Sequence, residues 1–209
     1  MRFFKGLVRI GYICKIIEFT LAGIYIHIPF CRQACHYCDF HFSTNLERMN
    51  QMVEMICREL ELRVEYQNKL PLETVYFGGG TPSLLDSKMI GQILDRIAKV
   101  YNSGWKEVTL EANPDDLNVD KLTSWKNLGI DRLSLGIQSF DDEVLRFYNR
   151  AHSASESKSA IDKARKVGFE KFSLDLIYGY PQSDHELWKR DLSQAIEQNP
   201  GHISSYALT

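Results

Sequence analysis

The sequence lacks an excess of either charge and lacks a framework of paired cysteines. Lysine and arginine together number 25 against 27 aspartates and glutamates, which gives a net charge of −2. Nucleic-acid-binding surfaces usually carry a basic excess, so we expect no nucleic-acid partner. Five cysteines, three of them on one short loop, do not make a secreted disulfide framework. Thiols clustered in this way indicate a reducing cytoplasm instead.

The sequence also has no long uncharged hydrophobic run. Its first twenty residues are apolar and basic, but Arg9 and Lys15 interrupt them, so they form neither a signal segment nor a membrane span. An amphipathic surface helix is one alternative. Because strand-like order begins at Gly23, we expect residues 1–22 to be an extension outside the core, with translation starting at position 21. We expect residues 23–209 to form one domain without membrane contact.

Strand-like and helix-like segments alternate along the rest of the chain. The predicted strands are Ile24–Pro29, Thr74–Phe77, Glu107–Glu111, Arg132–Gln138, Phe172–Ile177 and His202–Leu208. The predicted helices are Glu47–Tyr66, Ser83–Tyr101, Val119–Leu128, Ser155–Val167 and His185–Gln198. Thr81-Pro82 predicts a helix start, with a threonine cap and a proline in the first turn. Six strands joined by helical crossovers predict an α/β fold, a parallel (β/α)6 partial barrel. No helix follows the last strand, so we expect the C-terminal part of the protein to be missing.

Three cysteines, Cys31, Cys35 and Cys38, follow the first predicted strand with the spacing C-x3-C-x2-C. A structural zinc ion usually takes four protein ligands, often as two separate pairs. Three clustered thiolates without a nearby fourth suit an iron–sulfur cube that leaves one iron open to a small molecule. Buried or zinc-binding thiols are the alternative, but a loop so rich in thiols and aromatic residues makes a poor core element.

Polar residues recur on one face of three predicted strands. Glu111, Gln138 and Asp175 each lie near the C-terminal end of a strand whose alternate residues are apolar. Alternation places this polar set on the inner face of the barrel, and parallel barrels keep their chemistry at this end. An unpaired buried carboxylate is costly, so the interior should hold water or a polar ligand. The alternative is that these groups cap helices or pair with Arg132 and Lys171.

A glycine run, Gly78–Gly80, ends the second predicted strand. Glycines let a ligand approach the backbone closely and expose peptide N–H groups to it. A tight turn would also need glycine, so the run by itself is weak evidence. The run lies at the same end of the predicted barrel as the cysteines, and this position strengthens the interpretation that it belongs to a ligand site.

Several motifs occur in order along the chain. They are Tyr25-Ile-His-Ile-Pro-Phe-Cys31, the loop ending Tyr37-Cys38, Gly78-Gly-Gly-Thr-Pro, Glu111-Ala-Asn-Pro, Ser134-Leu-Gly-Ile-Gln-Ser-Phe140, Asn149-Arg-Ala-His152 and Asp175-Leu-Ile-Tyr-Gly-Tyr-Pro181. Together they resemble the radical S-adenosylmethionine (radical SAM) superfamily. Within it they resemble the anaerobic coproporphyrinogen III oxidase-like group, which includes a haem-chaperone branch. The resemblance runs from about residue 24 to residue 209.

This resemblance implies cofactors and the residues that bind them. It implies a [4Fe–4S] cluster on Cys31, Cys35 and Cys38, whose open iron chelates the amino and carboxylate groups of S-adenosylmethionine. It implies cosubstrate contacts from Tyr25, Gly79, Gly80, Thr81, Glu111, Gln138, Arg150 and Asp175. In such proteins, one electron from the reduced cluster cleaves the sulfonium and yields a 5′-deoxyadenosyl radical.

One departure from the oxidase pattern separates two functions. The oxidases carry a further cysteine two positions after the third cluster cysteine, where this chain has Phe40. The departure favours a haem chaperone that binds haem and transfers it to an acceptor protein. The alternative is an oxygen-independent coproporphyrinogen III dehydrogenase that uses a reducing electron donor to form protoporphyrinogen IX from a porphyrinogen. A simple structural metal domain is the third hypothesis. The sequence assigns no catalytic residue, so whether the protein is an enzyme stays open.

Overall fold

A computed structural model describes residues 22–65, 70–182 and 184–208, in which six parallel strands form one sheet. The strands are β1 (Ala22–Ile28), β2 (Leu72–Gly79), β3 (Glu107–Ala112), β4 (Arg132–Gln138), β5 (Lys171–Tyr178) and β6 (His202–Ala207). Each strand pairs with its neighbour in sequence, so β1 and β6 are the two edges of a curled half-barrel. The predicted α/β partial barrel is confirmed.

Helices connect the strands and cover the apolar face of the sheet. They are α1 (Met49–Leu62), α2 (Ser87–Val100), α3 (Val119–Asn127), α4 (Asp142–Phe147), α5 (Ala154–Lys166) and α6 (Glu186–Glu197). In α2, for example, Ile90, Ile93 and Ile97 recur at helical spacing and are fully buried against the sheet. None of the helices in the described part of the chain is long and apolar enough to cross a bilayer.

The two faces of the strands differ as the alternation predicts. In β4, Leu133 and Leu135 are fully buried in the hydrophobic core under the helices. The intervening Ser134 points to the inner face, where its hydroxyl accepts a hydrogen bond from Ser173 Oγ of β5 at 2.9 Å. Apolar burial therefore stabilises the outer layer, whereas the inner layer is left for polar groups.

The predicted helix start at Thr81-Pro82 is wrong. Residues Pro82–Leu84 form a single 3-10 turn, and the Thr81 side chain does not cap it. The helix α2 begins at Ser87, after Asp86 Oδ1 accepts a hydrogen bond from the backbone N–H of Met89 at 2.7 Å. An aspartate cap placed later in the chain therefore competes successfully with the Thr-Pro signal, and the Thr81 hydroxyl stays available on the inner side.

The helix α4 has no counterpart in the sequence-based prediction. It is short, and its start is fixed by Asp141, whose Oδ1 accepts hydrogen bonds from the N–H groups of Glu143 (2.9 Å) and Val144 (3.3 Å). At the other end of the chain, the extension predicted for residues 1–22 lies outside the described residues except for Ala22. That residue is already the first of β1.

A buried carboxylate ties α6 to the turn that leads into α4. Asp191 is 1% exposed; its Oδ2 accepts from Ser139 Oγ at 2.5 Å and its Oδ1 from the Phe140 N–H at 2.8 Å. Burial raises the pKa of Asp191, and the two hydrogen bonds oppose that rise. Asp191 therefore holds the turn in place through two directed bonds.

Replacing this carboxylate should destabilise the fold. We expect Asp191→Ala to lower the free energy of unfolding by about 2–4 kcal/mol, because the Ser139 hydroxyl and the Phe140 N–H lose their buried acceptor. Urea unfolding followed by circular dichroism measures the change. The matched control is Asp162→Ala, whose carboxylate is 76% exposed; it should change stability by less than about 0.5 kcal/mol. Equal changes in the two variants would contradict the anchoring role.

Candidate cluster and cofactor site

The three cysteines lie on the loop that leaves β1, and the base of this loop is closed by backbone hydrogen bonds. The Cys31 N–H donates to Ser43 O at 3.0 Å, and the Ser43 N–H donates to Pro29 O at 2.7 Å. Within the loop, the Cys38 N–H donates to Cys35 O at 3.2 Å. All three thiols are free and partly exposed, and they line one cavity at the C-terminal end of the strands.

The three thiols lie around the cavity rather than converging on a single point. Within the described ranges, no three thiol, imidazole or carboxylate groups converge as ligands of one metal ion would. In an iron–sulfur cube each cysteine binds a different iron, so its ligands are spread around the cube. Burial raises the pKa of the Cys31 thiol against an opposing hydrogen bond from Thr81, and the neighbouring Cys38 and Cys35 raise it further.

The glycine turn at the end of β2 packs directly against the cysteine loop. The Gly80 N–H donates to Ile28 O at 2.8 Å. A Cβ atom at Gly80 would lie 2.7 Å from Phe30 O, closer than real side chains come, and 3.0 Å from Cys31 Sγ, tighter than most real contacts. The next residue, Thr81, is buried and its Oγ1 donates to Cys31 Sγ at 3.5 Å. Glycine is therefore required for the close approach between strand and loop.

Two carboxylates face the cavity from the inner face of the sheet. Glu111 Oε1 accepts from Tyr76 Oη at 2.8 Å, and its Oε2 accepts from the Gly79 N–H at 3.1 Å. Asp175 Oδ2 accepts from Ser134 Oγ at 3.2 Å. Burial is the main cause that raises the pKa of both carboxyl groups, and the charge of Asp175 adds to the rise at Glu111. A cationic ligand in this cavity would relieve the cost of their burial.

Among the described residues, these carboxylates do not pair with Arg132 or Lys171, which was one of the alternative roles. Arg132 pairs with Glu107 at 3.2 Å, and Lys171 pairs with Asp131 at 2.6 Å. Both cations are thus occupied by other acids near the opposite ends of the strands, and the inner carboxylates stay directed at the cavity.

Gln138 ends β4 in a strained conformation. Its φ is +68°, and the Ser139 N–H donates across it to Ile137 O at 2.9 Å, which makes a tight three-residue turn. Such positive-φ conformations cost a non-glycine residue about 1–3 kcal/mol and tend to occur at ligand sites. The turn directs the Gln138 side chain along the cavity wall, beside Gly136.

Arg150 joins the cysteine loop to two strands through its buried guanidinium. Its Nη1 donates to Tyr37 Oη at 3.1 Å and to Cys35 Sγ at 3.5 Å. Its Nη2 donates to Asn113 Oδ1 at 2.7 Å and to Gly136 O at 3.0 Å. The remaining donor, Nε, is buried and has no acceptor among the described residues. A ligand oxygen in the cavity could accept from it.

The structure brings together all but one of the residues that the sequence predicted for the site. The residues that line the common cavity are Cys31, Cys35, Cys38, Gly79, Gly80, Thr81, Glu111, Gln138, Arg150 and Asp175. Tyr25 is not among them. Its ring is 56% exposed on β1 and stacks on Tyr76 with the ring centroids 5.8 Å apart, and its hydroxyl lies 3.3 Å from His27 Nδ1.

Sequence reasoning missed residues that hold the others in place. Asn113 accepts from Arg150 and donates from Nδ2 to Thr81 Oγ1 at 3.4 Å, and Tyr76 orients Glu111. Asn113 belongs to the Glu111-Ala-Asn-Pro motif, which was a signal that could have found it. Tyr76 gave no such signal, because its contact with Glu111 depends on how β2 and β3 pair.

His152 is a buried histidine behind the cavity wall. Its Nε2 donates to Ile137 O at 3.1 Å, so Nδ1 carries no proton in the neutral ring. That Nδ1 lies 3.9 Å from Asp115 Oδ1, and neither atom has a hydrogen-bond partner among the described residues. Burial and then the nearby Arg150 lower the pKa of His152 to about 4, against a smaller opposing effect of Glu156. His152 is therefore neutral at physiological pH.

Comparison with known proteins agrees with this geometry. The family model of the Radical SAM superfamily matches residues 25–190. Heme chaperone HemW of Escherichia coli (strain K12) is 38% identical over 197 residues, which cover 93% of this chain and 52% of that protein. Heme chaperone HemW of Bacillus subtilis (strain 168) is 34% identical over 191 residues, covering 90% and 50%. The chain thus spans about half the length of the curated relatives it matches.

A solved structure supports the same fold. Coproporphyrinogen III oxidase (HemN) from Escherichia coli, described as a Radical SAM enzyme, superposes with a TM-score of 0.76 at 27% identity. The match covers 90% of this chain and 44% of that chain. The similarity therefore extends over most of this chain.

The close approach at Gly80 can be tested by adding one methyl group. We expect Gly80→Ala to bind less iron after anaerobic reconstitution, because its Cβ would push against Phe30 O and Cys31 Sγ. Iron per chain and the visible absorption of the cluster measure the effect. The control is Gly201→Ala, where the added carbon would make only an ordinary contact of 3.7 Å. Equal iron content in the two variants would refute the steric argument.

The neutral, buried His152 predicts a pH dependence of stability. Its folded-state pKa of about 4 lies below the ordinary value of 6.5, so the folded state resists protonation that the unfolded chain accepts. Stability should therefore fall as the pH drops from about 6.5 to 4, by up to about 3 kcal/mol. Urea unfolding of cluster-free protein across this range measures the slope. His152→Gln, which keeps a donor for Ile137 O, should flatten it; an unchanged slope would contradict the assignment.

Proposed function

This chain belongs to the radical SAM superfamily, and from that membership we propose that Cys31, Cys35 and Cys38 hold its [4Fe–4S] cluster. Membership implies such a cluster and S-adenosylmethionine. The observation that carries the assignment to these residues is the set of three free thiols around one cavity, with no fourth cysteine on the loop. When it is bound and reduced, such a cluster supplies the electron that cleaves the sulfonium of S-adenosylmethionine.

The polar groups of the cavity would bind and orient the cosubstrate. The Arg150 Nε, buried without an acceptor among the described residues, would donate to its carboxylate. Glu111 and Asp175 would accept from its ammonium or ribose hydroxyls, which would offset the cost of burying two carboxylates. Further cavity contacts would come from Gly79, Gly80, Thr81 and Gln138. The family resemblance also implies a cosubstrate contact from Tyr25, which does not line the cavity.

For the whole protein we propose the function of a haem chaperone; this chain spans about half the length of the relatives that carry that name. The relatives named Heme chaperone HemW are similar over nine-tenths of the chain or more and support this choice. A second support is Phe40, which stands two positions after Cys38 where the oxidases carry a cysteine. Its side chain is 76% exposed and lies at the cavity rim, where it offers an apolar surface but no thiolate ligand.

Haem and an acceptor protein are the partners that this function requires, together with a reducing electron donor for the cluster. The three thiolates also need a reducing compartment, and on that ground we place the protein in the cytoplasm within this proposal.

The alternative function is oxygen-independent oxidative decarboxylation of coproporphyrinogen III. Its support is the structural similarity to coproporphyrinogen III oxidase (HemN), which is 27% identical over most of this chain. Under this alternative the same cavity would place the reactive carbon of S-adenosylmethionine near a porphyrinogen side chain. Phe40 weighs against it.

The two functions can be separated with full-length protein reconstituted anaerobically with iron and sulfide. We expect an absorption spectrum of a [4Fe–4S] cluster and stable binding of haem, followed as a shift of the haem absorption band. We expect no protoporphyrinogen from coproporphyrinogen III in the presence of reductant and S-adenosylmethionine. Protoporphyrinogen formation would overturn the chaperone proposal in favour of the oxidase.

The cluster ligands are tested in the same preparation. Replacing Cys31, Cys35 and Cys38 together by alanine should abolish the cluster spectrum. The matched control is Cys57→Ala, a buried thiol on α1 whose Sγ contacts Gln92 O at 3.9 Å, away from the cavity. A spectrum that survives the triple substitution, or that is lost in the control, would refute the assignment.

A further inference from the structure

Asn149, which follows the C-cap residue Tyr148 of α4, has a backbone conformation that is usually adopted by glycine. Asn149 has φ +56°; its N–H donates to Arg146 O at 3.0 Å, and the next N–H, of Arg150, donates to Leu145 O at 2.9 Å. This pair of bonds is a Schellman motif, in which the left-handed residue is most often glycine and sometimes asparagine. Glycine would adopt this positive-φ backbone conformation at least as readily as asparagine does.

The side chain of Asn149 makes a contact that glycine could not make. Its Nδ2 donates to Ala34 O at 2.7 Å, and Ala34 directly precedes Cys35 in the cysteine loop. The two residues are 115 positions apart in the chain. The carboxamide therefore joins the end of α4 to the middle of the loop that carries the three thiols.

The last carbonyl groups of α4 also accept from this loop. Gln33 Nε2 donates to Asn149 O at 2.6 Å. His36 donates twice, from its backbone N–H to Tyr148 O at 3.1 Å and from its ring Nδ1 to Phe147 O at 2.8 Å. Carbonyls at a helix C-terminus have no partner within the helix, and here residues on both sides of Cys35 supply the donors.

We propose that Asn149 is a positioning residue for the cluster, and that its carboxamide sets the shape of the loop around Cys35 before the cluster binds. The proposal rests on the assignment of the three cysteines as cluster ligands. It assigns to Asn149 a role apart from the cosubstrate contacts of its neighbour Arg150. A loop that is held in its bound shape loses less conformational entropy when the cluster binds. Without the amide, the loop loses the bond that holds Ala34, the residue directly before Cys35.

The test is to remove the carboxamide and keep the backbone. Asn149→Gly retains the left-handed conformation and the Schellman bonds but cannot donate to Ala34 O. In reconstituted full-length protein, we expect it to lose iron to a chelator about five-fold faster than the wild type, the factor for one hydrogen bond of about 1 kcal/mol. Asn149→Asp is the second variant; it keeps the size of the side chain and has no N–H to donate.

The matched control is Asn199→Gly. Asn199 also has a positive φ, of +42°, at the end of a helix, α6, and its N–H donates to Ile196 O at 2.8 Å. Its side chain makes no hydrogen bond among the described residues, and it is not part of the cavity wall. The control therefore reports the entropic cost of a new glycine without any change at the cysteine loop. We expect it to lose iron at the wild-type rate.

A second measurement does not need the cluster. Hydrogen exchange of cluster-free protein should be about five-fold faster at the peptide that contains His36 in Asn149→Gly, and unchanged there in Asn199→Gly. If hydrogen exchange and iron loss in Asn149→Gly proceed at the wild-type rates, the proposal is wrong. It is also wrong if both rates rise equally in the two glycine variants. If the wild type assembles no cluster, the cluster assignment fails, and the exchange data still decide whether Asn149 holds the loop.

Discussion

The guanidinium of Arg150 is bonded at once to the cysteine loop and to the inner face of the sheet. It reaches the loop through Cys35 and Tyr37 and the sheet through Asn113 and Gly136. A buried cation is costly unless its N–H groups have acceptors. Moving any of these acceptors away from Arg150 would therefore leave a buried donor without a partner. The rest of the site is arranged around it, because the loop, the end of β3 and the end of β4 all meet at this one group.

The position of Arg150 depends in turn on α4, a short helix that buries Val144 and Leu145. Asp191 fixes the turn before the helix, and Asn149 ends it with a left-handed residue that directs the chain back toward the cavity. At the same level of the sheet, Gln138 is held in a strained turn. Local strain and buried polar bonds are thus concentrated near the cavity, whereas the outer layer is stabilised by ordinary apolar packing.

The charges of the cavity are arranged asymmetrically. Glu111 and Asp175 lie on the inner face of the sheet with raised pKa values, and Arg150 lies beside the cysteine loop with one donor unused by the described residues. A ligand that carries both a cationic part and a carboxylate would complement both sides. S-adenosylmethionine has this charge distribution, so the proposed cosubstrate fits the electrostatics of the cavity as well as the family to which the chain belongs.

The sequence by itself determined the class of fold and, together with the family resemblance, ten of the residues that line the cavity. Alternation along β5 placed Asp175 on the inner face, since side-chain direction follows from strand geometry. The Gln138 side chain, by contrast, is directed by the positive-φ turn at the end of β4. The spacing of Cys31, Cys35 and Cys38 fixed three thiols on one loop for the same local reason. The predicted helix start at Thr81-Pro82 was wrong because a second capping residue, Asp86, follows it in the sequence, and the helix begins after Asp86. The tertiary structure alone decided the contacts of Arg150 and Asn149, because each joins residues more than a hundred positions apart, and nothing in the local sequence specifies which distant carbonyl or thiol a side chain will meet.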